Sequence, residues 1–376
     1  MPNLLIALNY YSPYVSGLTN VARDVAEGLV ERGWNVTVVA SQHQENLMRE
    51  EWINGVRVLR APILARVGKG VISFDFFRIF RQESLKADVI NLHVPMLEAG
   101  VLAKISTSPV VTTYQCDVSL PSSVFGSIQN AAVDYSARMA IKNSYSVTVT
   151  SDDYADHSRL SKSLQMNRRV IPATCYLREK GSPTFRDGSG MHVGFLGRIV
   201  EEKGIEYLVD GFRALPDPDA RLLIAGEFLD IAGGSVIERV RRRINDDSRI
   251  KLLGFISDED LGDFYGSLDV FALPSINPFE AFGIVQVEAM MMGIPVIASD
   301  LPGVRQPVLK TGMGEVVARR SATAITEALL RLNSNRGNST EVGSNTARAL
   351  YSISATLDKF EDVFNEAMQS NGRQCH

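Results

Sequence analysis

Strand, helix and strand follow one another within the first 40 residues, and this order constrains the fold more than any other feature of the chain. Leu4–Leu8 is a continuous apolar run that ends in Asn9. Val21–Glu31 carries apolar residues at 21, 22, 25, 26 and 29 and stops at Gly33, and Val36–Ala40 is a second apolar run. Short runs that are apolar throughout fit strands buried on both faces, and a helical period closed by glycine fits the crossover between them. Such a βαβ unit predicts a right-handed parallel sheet covered by helices.

The pattern continues. Further strands are predicted at Val56–Arg60, Val89–His93, Val110–Thr113 and Ser146–Thr150, with helices between them, and Val170-Ile171-Pro172 closes this half. The polar stretch Arg178–Gly190, with Gly181, Pro183, Gly188 and Gly190, reads as a linker. The second half begins like the first: Met191–Leu196 reads as a strand, Gly197-Arg198 as a turn, and Lys203-Gly204 opens a helix to about Ala214. Strands at Leu222–Ala225, Ile250–Leu253, Val270–Leu273, Pro295–Ala298 and Gly314–Val317 follow, then a helix at about Ala322–Leu332, a polar spacer, and an amphipathic helix at Thr356–Met368. A chain of 376 residues has room for two domains of roughly 150 residues. The expected bounds are 1–180 and 190–350.

Composition narrows the function. With 45% apolar and 22% charged residues the chain resembles a soluble enzyme, and its net charge of −4 gives no footprint for nucleic acid. Arg239, Arg241, Arg242 and Arg243 read as one solvated helix face. Cys116, Cys175 and Cys375 have neither zinc-site nor disulfide spacing, which fits a reducing compartment. The N-terminus lacks a basic region and a long apolar region, so no secretion signal is expected and the cytoplasm is the expected location. No apolar run approaches the roughly 18 residues of a membrane span. Peripheral membrane contact stays open.

The chemistry concentrates in Ser275–Ser299, SINPFEAFGIVQVEAMMMGIPVIAS. A helix starting near Gly283 sets Glu280 just before its first turn and Glu288 about 12 Å along its axis, the length scale of a sugar joined to a nucleoside by a diphosphate. The free N–H groups of the helix start, around Phe282, Gly283 and Ile284, suit the diphosphate. A carboxylate there would repel phosphate, so Glu280 is assigned to hydroxyls of the attached group and Glu288 to a ribose. Arg198 offers a fork matched to phosphate oxygens, and Lys203 a point charge for the departing diphosphate. The loop after the first strand has neither G-x-G-x-x-G nor a P-loop, yet Gly17 stands where a backbone can approach a ligand.

Glu280, the aromatic-glycine pair, Glu288, Ala289-Met290, Gly293, Pro295-Val296-Ile297 and Pro302-Gly303 together resemble the donor site of GT4-type retaining glycosyltransferases, and GRIVEEKG resembles that family's G-R-x4-K-G element. The resemblance implies the GT-B fold: an α/β protein with two Rossmann-like domains facing each other across a cleft, the last helix (about 354–376) packing back on the first domain. It implies a nucleoside-diphosphate sugar as co-substrate, a hydroxyl acceptor (a sugar, a lipid-linked or a natural-product molecule) and no further cofactor. Arg198, Lys203 and Glu280 become the catalytic set. Gly17, Gln115, Ile256, Phe282, Gly283, Ile284 and Glu288 become donor-binding, Ile256 because relatives hold the nucleobase with backbone near that loop. Gln115 stands where relatives usually carry histidine, so a proton-transfer role does not carry over. Arg66–Arg81 matches a region that often faces acceptor or membrane in the family, and its plain reading is a partly buried helix with a basic rim. His93 resembles the family's loop at the end of its strand, though a lone histidine is commonly structural. No His-Glu-x-x-His occurs and no Asp-x-Asp motif is expected, so the enzyme is read as metal-independent. A nucleotide-sugar epimerase, a phosphorylase, or a binding protein that does not transfer remain the alternatives.

Overall fold

The structure is a computed structural model describing residues 1–67, 70–118, 124–179, 181–227 and 234–372. It divides into two compact units, residues 1–174 with 353–376, and residues 175–352. Each is a Rossmann-like α/β unit.

The first unit runs β1 (Asn3–Ala7), α1 (Gly17–Glu31), β2 (Asn35–Gln42), β3 (Glu50–Ile53), β4 (Val56–Pro62), β5 (Ala65–Val67), β6 (Gly70–Ile72), α2 (Phe74–Ser84), β7 (Val89–Val94), α3 (Ala99–Ile105), β8 (Val110–Tyr114), α4 (Val124–Lys142), β9 (Ser146–Val149), α5 (Asp152–His157), α6 (Ser161–Leu164) and β10 (Arg168–Val170). The second runs β11 (His192–Leu196), a 3-10 turn (Glu201–Lys203), α7 (Ile205–Arg213), β12 (Arg221–Ala225), α8 (Ile237–Ile244), β13 (Ile250–Gly254), α9 (Leu261–Gly266), β14 (Val270–Leu273), α10 (Ile284–Met291), β15 (Val296–Ser299), α11 (Gln306–Thr311), β16 (Gly314–Val317), α12 (Ala322–Ser334) and α13 (Glu341–Tyr351). The chain then returns to the first unit as α14 (Ile353–Gly372).

The first sheet has the order β10-β9-β8-β7-β1-β2-β4-β3, parallel except for the edge strand β3. The second, wholly parallel, has the order β13-β12-β11-β14-β15-β16. In each, the strand order reverses beside the first strand of the unit, between β1 and β7 and between β11 and β14. Ligands of open α/β sheets bind at the carboxyl ends of such strands. The apolar runs are buried as their composition requires: Leu4, Leu5, Ile6 and Ala7 are at most 1% exposed, as are Val193, Phe195, Leu222 and Ile224.

α14 lies against α1. Trp34 Nε1 donates to Glu361 Oε1 at 2.9 Å, and Arg32 donates to Glu361 Oε2 at 3.0 Å. The last four residues of the helix expected over about 354–376 lie outside the described residues.

Two expectations need correction. Arg66–Arg81 is not one helix: β5 and β6 pair antiparallel, and the helix begins only at Phe74, where Ser73 Oγ accepts from Phe76 N at 3.2 Å. Gly68 and Lys69 of that stretch lie outside the described residues. The polar spacer after α12 contains α13, whose Ser344 Oγ and Arg348 Nε both donate to Met291 O, at 2.9 and 2.8 Å. Together with Thr340 Oγ1, which donates to Gly293 O at 2.8 Å, α13 satisfies carbonyls that the end of α10 would otherwise leave unpaired. It therefore fixes the helix on which both glutamates depend.

Candidate functional site

The loop after β11 carries Gly197, Arg198 and Lys203, and the loop after β14 carries Ser275 and Glu280, so the strand reversal makes two distant stretches neighbours. Their contact is tight. Ile276 N donates to Glu202 O at 2.9 Å, and Gly204 has φ +64° with the loop so close that an added Cβ would stand 2.2 Å from Pro274 O. Only glycine meets both demands. In consequence Lys203 Nζ donates to Glu280 Oε2, in a pair whose side chains are 17% and 19% exposed, and Ser275 Oγ approaches the same oxygen at 3.5 Å. Arg198, more exposed, donates to Glu202 Oε1 at 2.6 Å.

α10 begins just beyond. Gly283, its N-cap, has φ +82°, and the Gln286 side chain holds the entry by donating to Phe282 O at 2.6 Å and Val304 O at 2.9 Å. Phe282 is buried edge-on against Tyr351 of α13, the ring centroids 5.5 Å apart. At the start of α10 Gln286 N donates to Gly283 O at 3.2 Å, whereas the N–H groups of Ile284 and Val285 precede the helix's own hydrogen-bond ladder, at the positive end of its dipole. Ile284 opens that turn half-buried, and Ile256, beyond β13, is buried.

Glu288, one side of α10 further on, is 4% exposed. Arg178 Nε donates to its Oε2 at 3.2 Å and Tyr265 OH lies 3.1 Å from the same atom. Burial raises the Glu288 carboxyl above the usual carboxylate range, and Arg178 opposes the shift. Neither Arg178 nor Tyr265 was selected from the sequence. Arg178 lies in the stretch read as a linker, and Tyr265 on α9 belongs to no motif.

In the first unit Gly17 is the first residue of α1, held by a capping box between Ser16 and Thr19. Its φ is not positive, and an added Cβ would meet nothing within 4 Å, so neither the turn nor the packing demands glycine. Gln115, just past β8, is 8% exposed. Its Nε2 lies 2.7 Å from His93 Nδ1 and 3.2 Å from Leu18 O. Burial pushes the His93 imidazole down to about 3, so the ring is neutral and Nδ1 is the acceptor. The structure thus brings Gln115 to the start of α1, beside Gly17, and joins it to His93. Ser119 and Leu120 of the segment that resembles the family's histidine loop lie outside the described residues.

The chain does contain two Asp-x-Asp tripeptides, which corrects the expectation of none. In Asp217-Pro218-Asp219 the first carboxylate accepts from Asp219 N at 2.9 Å, closing a turn. In Asp258-Glu259-Asp260, Asp258 pairs with Arg178 at 3.3 Å and Asp260 accepts from Ser257 Oγ at 2.7 Å. Among the described residues no group of three or more His, Cys, Asp or Glu could hold a metal ion. No described helix is long and apolar enough to cross a membrane.

Comparison with known proteins bears on this geometry. The family described as "Glycosyl transferases group 1" matches residues 184–349, and "Glycosyl transferase 4-like domain" matches residues 16–174. Phosphatidyl-myo-inositol mannosyltransferase of Mycobacterium leprae is 26% identical over 354 residues, 85% of this chain and 84% of that protein. GDP-mannose-dependent alpha-mannosyltransferase of Mycobacterium tuberculosis is 28% identical over 331 residues, 82% of each. Among solved structures, sucrose-phosphate synthase from Thermosynechococcus elongatus superposes with a TM-score of 0.80 at 20% identity, covering 98% of this chain and all of that one.

Proposed function

Because the chain belongs to the GT4-type glycosyltransferases of GT-B fold, we propose that it is a retaining, metal-independent enzyme that moves a sugar from a nucleoside-diphosphate sugar to an acceptor hydroxyl. The observation that carries this reading is the meeting of Lys203 with Glu280 at the point of strand reversal, immediately before the N-terminus of α10. One group there is matched to a phosphate oxygen and the other to sugar hydroxyls. That two relatives covering most of the chain are named mannosyltransferases, one GDP-mannose-dependent, supports the donor class.

In this mechanism Arg198, Lys203 and the first-turn N–H groups of α10 bind the diphosphate. As the bond from the anomeric carbon to the phosphate oxygen breaks, they neutralise the charge that develops on that oxygen. The acceptor oxygen bonds to the anomeric carbon on the face being vacated, and its proton passes to the leaving phosphate, so configuration is retained without an enzymic nucleophile. Glu280 orients the sugar, and Glu288 accepts from the ribose.

The test is a screen of nucleotide sugars for thermal stabilisation. Transfer with the best donor then follows, with the product's anomeric configuration read by NMR and the rate compared with and without chelator. Inversion would remove the retaining mechanism, and loss of activity in chelator would remove metal independence. Epimerisation or phosphorolysis without acceptor would favour the other GT-B chemistries.

A further inference from the structure

Glu288 is held unevenly. Its Oε2 accepts from Arg178 Nε at 3.2 Å and lies 3.1 Å from Tyr265 OH, whereas Oε1 meets Arg178 Nη2 only at 3.5 Å. Arg178 is itself fastened: its Nη2 donates to Asp258 at 3.3 Å, and its guanidinium stands 5.9 Å from the centre of the Tyr176 ring. The side chains of Arg178 and Glu288 are 18% and 5% exposed, so the pair is shielded from solvent on the glutamate's side. Arg178, Tyr265 and Asp258 are the charged and titratable groups that act on Glu288. Burial holds the Tyr265 phenol well above its ordinary range, so it remains a hydrogen-bond donor.

A buried carboxylate binds a hydroxyl best when it is ionised and when one oxygen keeps a free lone pair in a fixed direction. Desolvation works against the first condition here. Arg178 supplies both, by opposing charge and by saturating one oxygen. We propose that Arg178 is a positioning residue for the donor's ribose: it locks Oε2 of Glu288 and leaves Oε1 as the acceptor for a ribose hydroxyl. This rests on the reading of Glu288 as the ribose contact. It gives a substrate-directed task to a residue outside the family motif, on a stretch that the sequence marks only as polar and glycine-rich.

The test compares ribose discrimination, which a purely structural ion pair would leave alone. Wild type, Arg178→Gln and Arg178→Lys are titrated by calorimetry with UDP, GDP and ADP, then with the 2′,3′-dideoxy form of whichever binds. Thermal unfolding is recorded alongside. A hydrogen bond to an ionised group corresponds to about 10- to 100-fold in affinity, so wild type should prefer the ribonucleotide by that factor. In Arg178→Gln the preference should collapse toward unity. In Arg178→Lys, which keeps a charge but loses the fork, it should fall several-fold. A folded Arg178→Gln with the full wild-type preference overturns the role of Arg178 alone. If that variant does not fold, an unchanged preference in Arg178→Lys overturns it equally. Absence of ribose preference in wild type, or failure of all three nucleotides to bind it, overturns the ribose reading together with the inference.

Discussion

In the free protein Lys203 and Glu280 satisfy each other, and this sets opposite expectations for their removal. Both side chains are about four-fifths buried. At an effective dielectric of about 20 the attraction of unit charges about 4 Å apart is about 4 kcal/mol, an upper bound that desolvation reduces. A net value of about 1.5–3 kcal/mol is usual for hydrogen bonds to charged groups. Lys203→Ala removes the cation proposed for the diphosphate, so nucleoside diphosphate affinity should fall by roughly 10- to 100-fold. Transfer should fall further, because charge grows on the leaving group; losing one such stabilising donor typically costs about 2.7–4 kcal/mol, or 10²–10³ in kcat. Glu280→Gln keeps the side chain's shape and frees the ammonium for phosphate. Nucleoside diphosphate should then bind as tightly as to wild type or several-fold more tightly, while transfer drops because the sugar loses its charged acceptor. Calorimetry with the best-binding nucleoside diphosphate and steady-state transfer kinetics read the two effects separately. Equal loss of nucleotide affinity in the two variants would refute the division of roles, and near-normal turnover in Lys203→Ala would refute the clamp.

Gly204→Ala should destabilise the protein by about 1–3 kcal/mol or more, since a non-glycine residue at φ +64° is strained and its Cβ meets Pro274 O at 2.2 Å; an unchanged unfolding midpoint would contradict the close approach of the two loops. Gly17→Ala meets open space and no positive φ, so its unfolding midpoint should match wild type, and slower transfer in that variant would mark a donor approaching the backbone there. Gln115→Ala leaves buried His93 Nδ1 without its donor and should cost about 1–3 kcal/mol in denaturant unfolding. The His93 imidazole has a folded value of about 3, depressed below its ordinary 6.5 by burial. Its contribution to stability is therefore complete above pH 6.5 and is lost as the pH falls from 6.5 toward 3, by up to about 1.4 kcal/mol per pH unit. His93→Gln should flatten the dependence of stability on pH between 6.5 and 4, and an unaltered slope would show that the group does not titrate on unfolding.

The local pattern determined the class of fold because its signals are short-range. Runs such as Leu4–Leu8 are apolar throughout and fit central parallel strands, and the stops at Gly33 and Gly293 take positive φ as helix ends favour. Arg198, Lys203, Glu280 and Glu288 stand out as candidates because their residue types and spacing within two short segments match one chemistry, and of these the structure joins Lys203 to Glu280. What the sequence could not decide is non-local. The order β12-β11-β14-β15 is a tertiary choice, and it alone brings Lys203 to Glu280 across 77 positions of chain. The hairpin β5-β6 overrode a mixed basic-aromatic stretch with no clean period. α13 escaped notice because its buried face uses Gly343, Ser344, Ala347 and Tyr351, a set with little apolar signal that becomes a helix face only against the end of α10. The Arg178–Glu288 pair spans 110 positions; a surface arginine and a buried carboxylate partner look alike in sequence, and only packing against α10 and Tyr265 separates them.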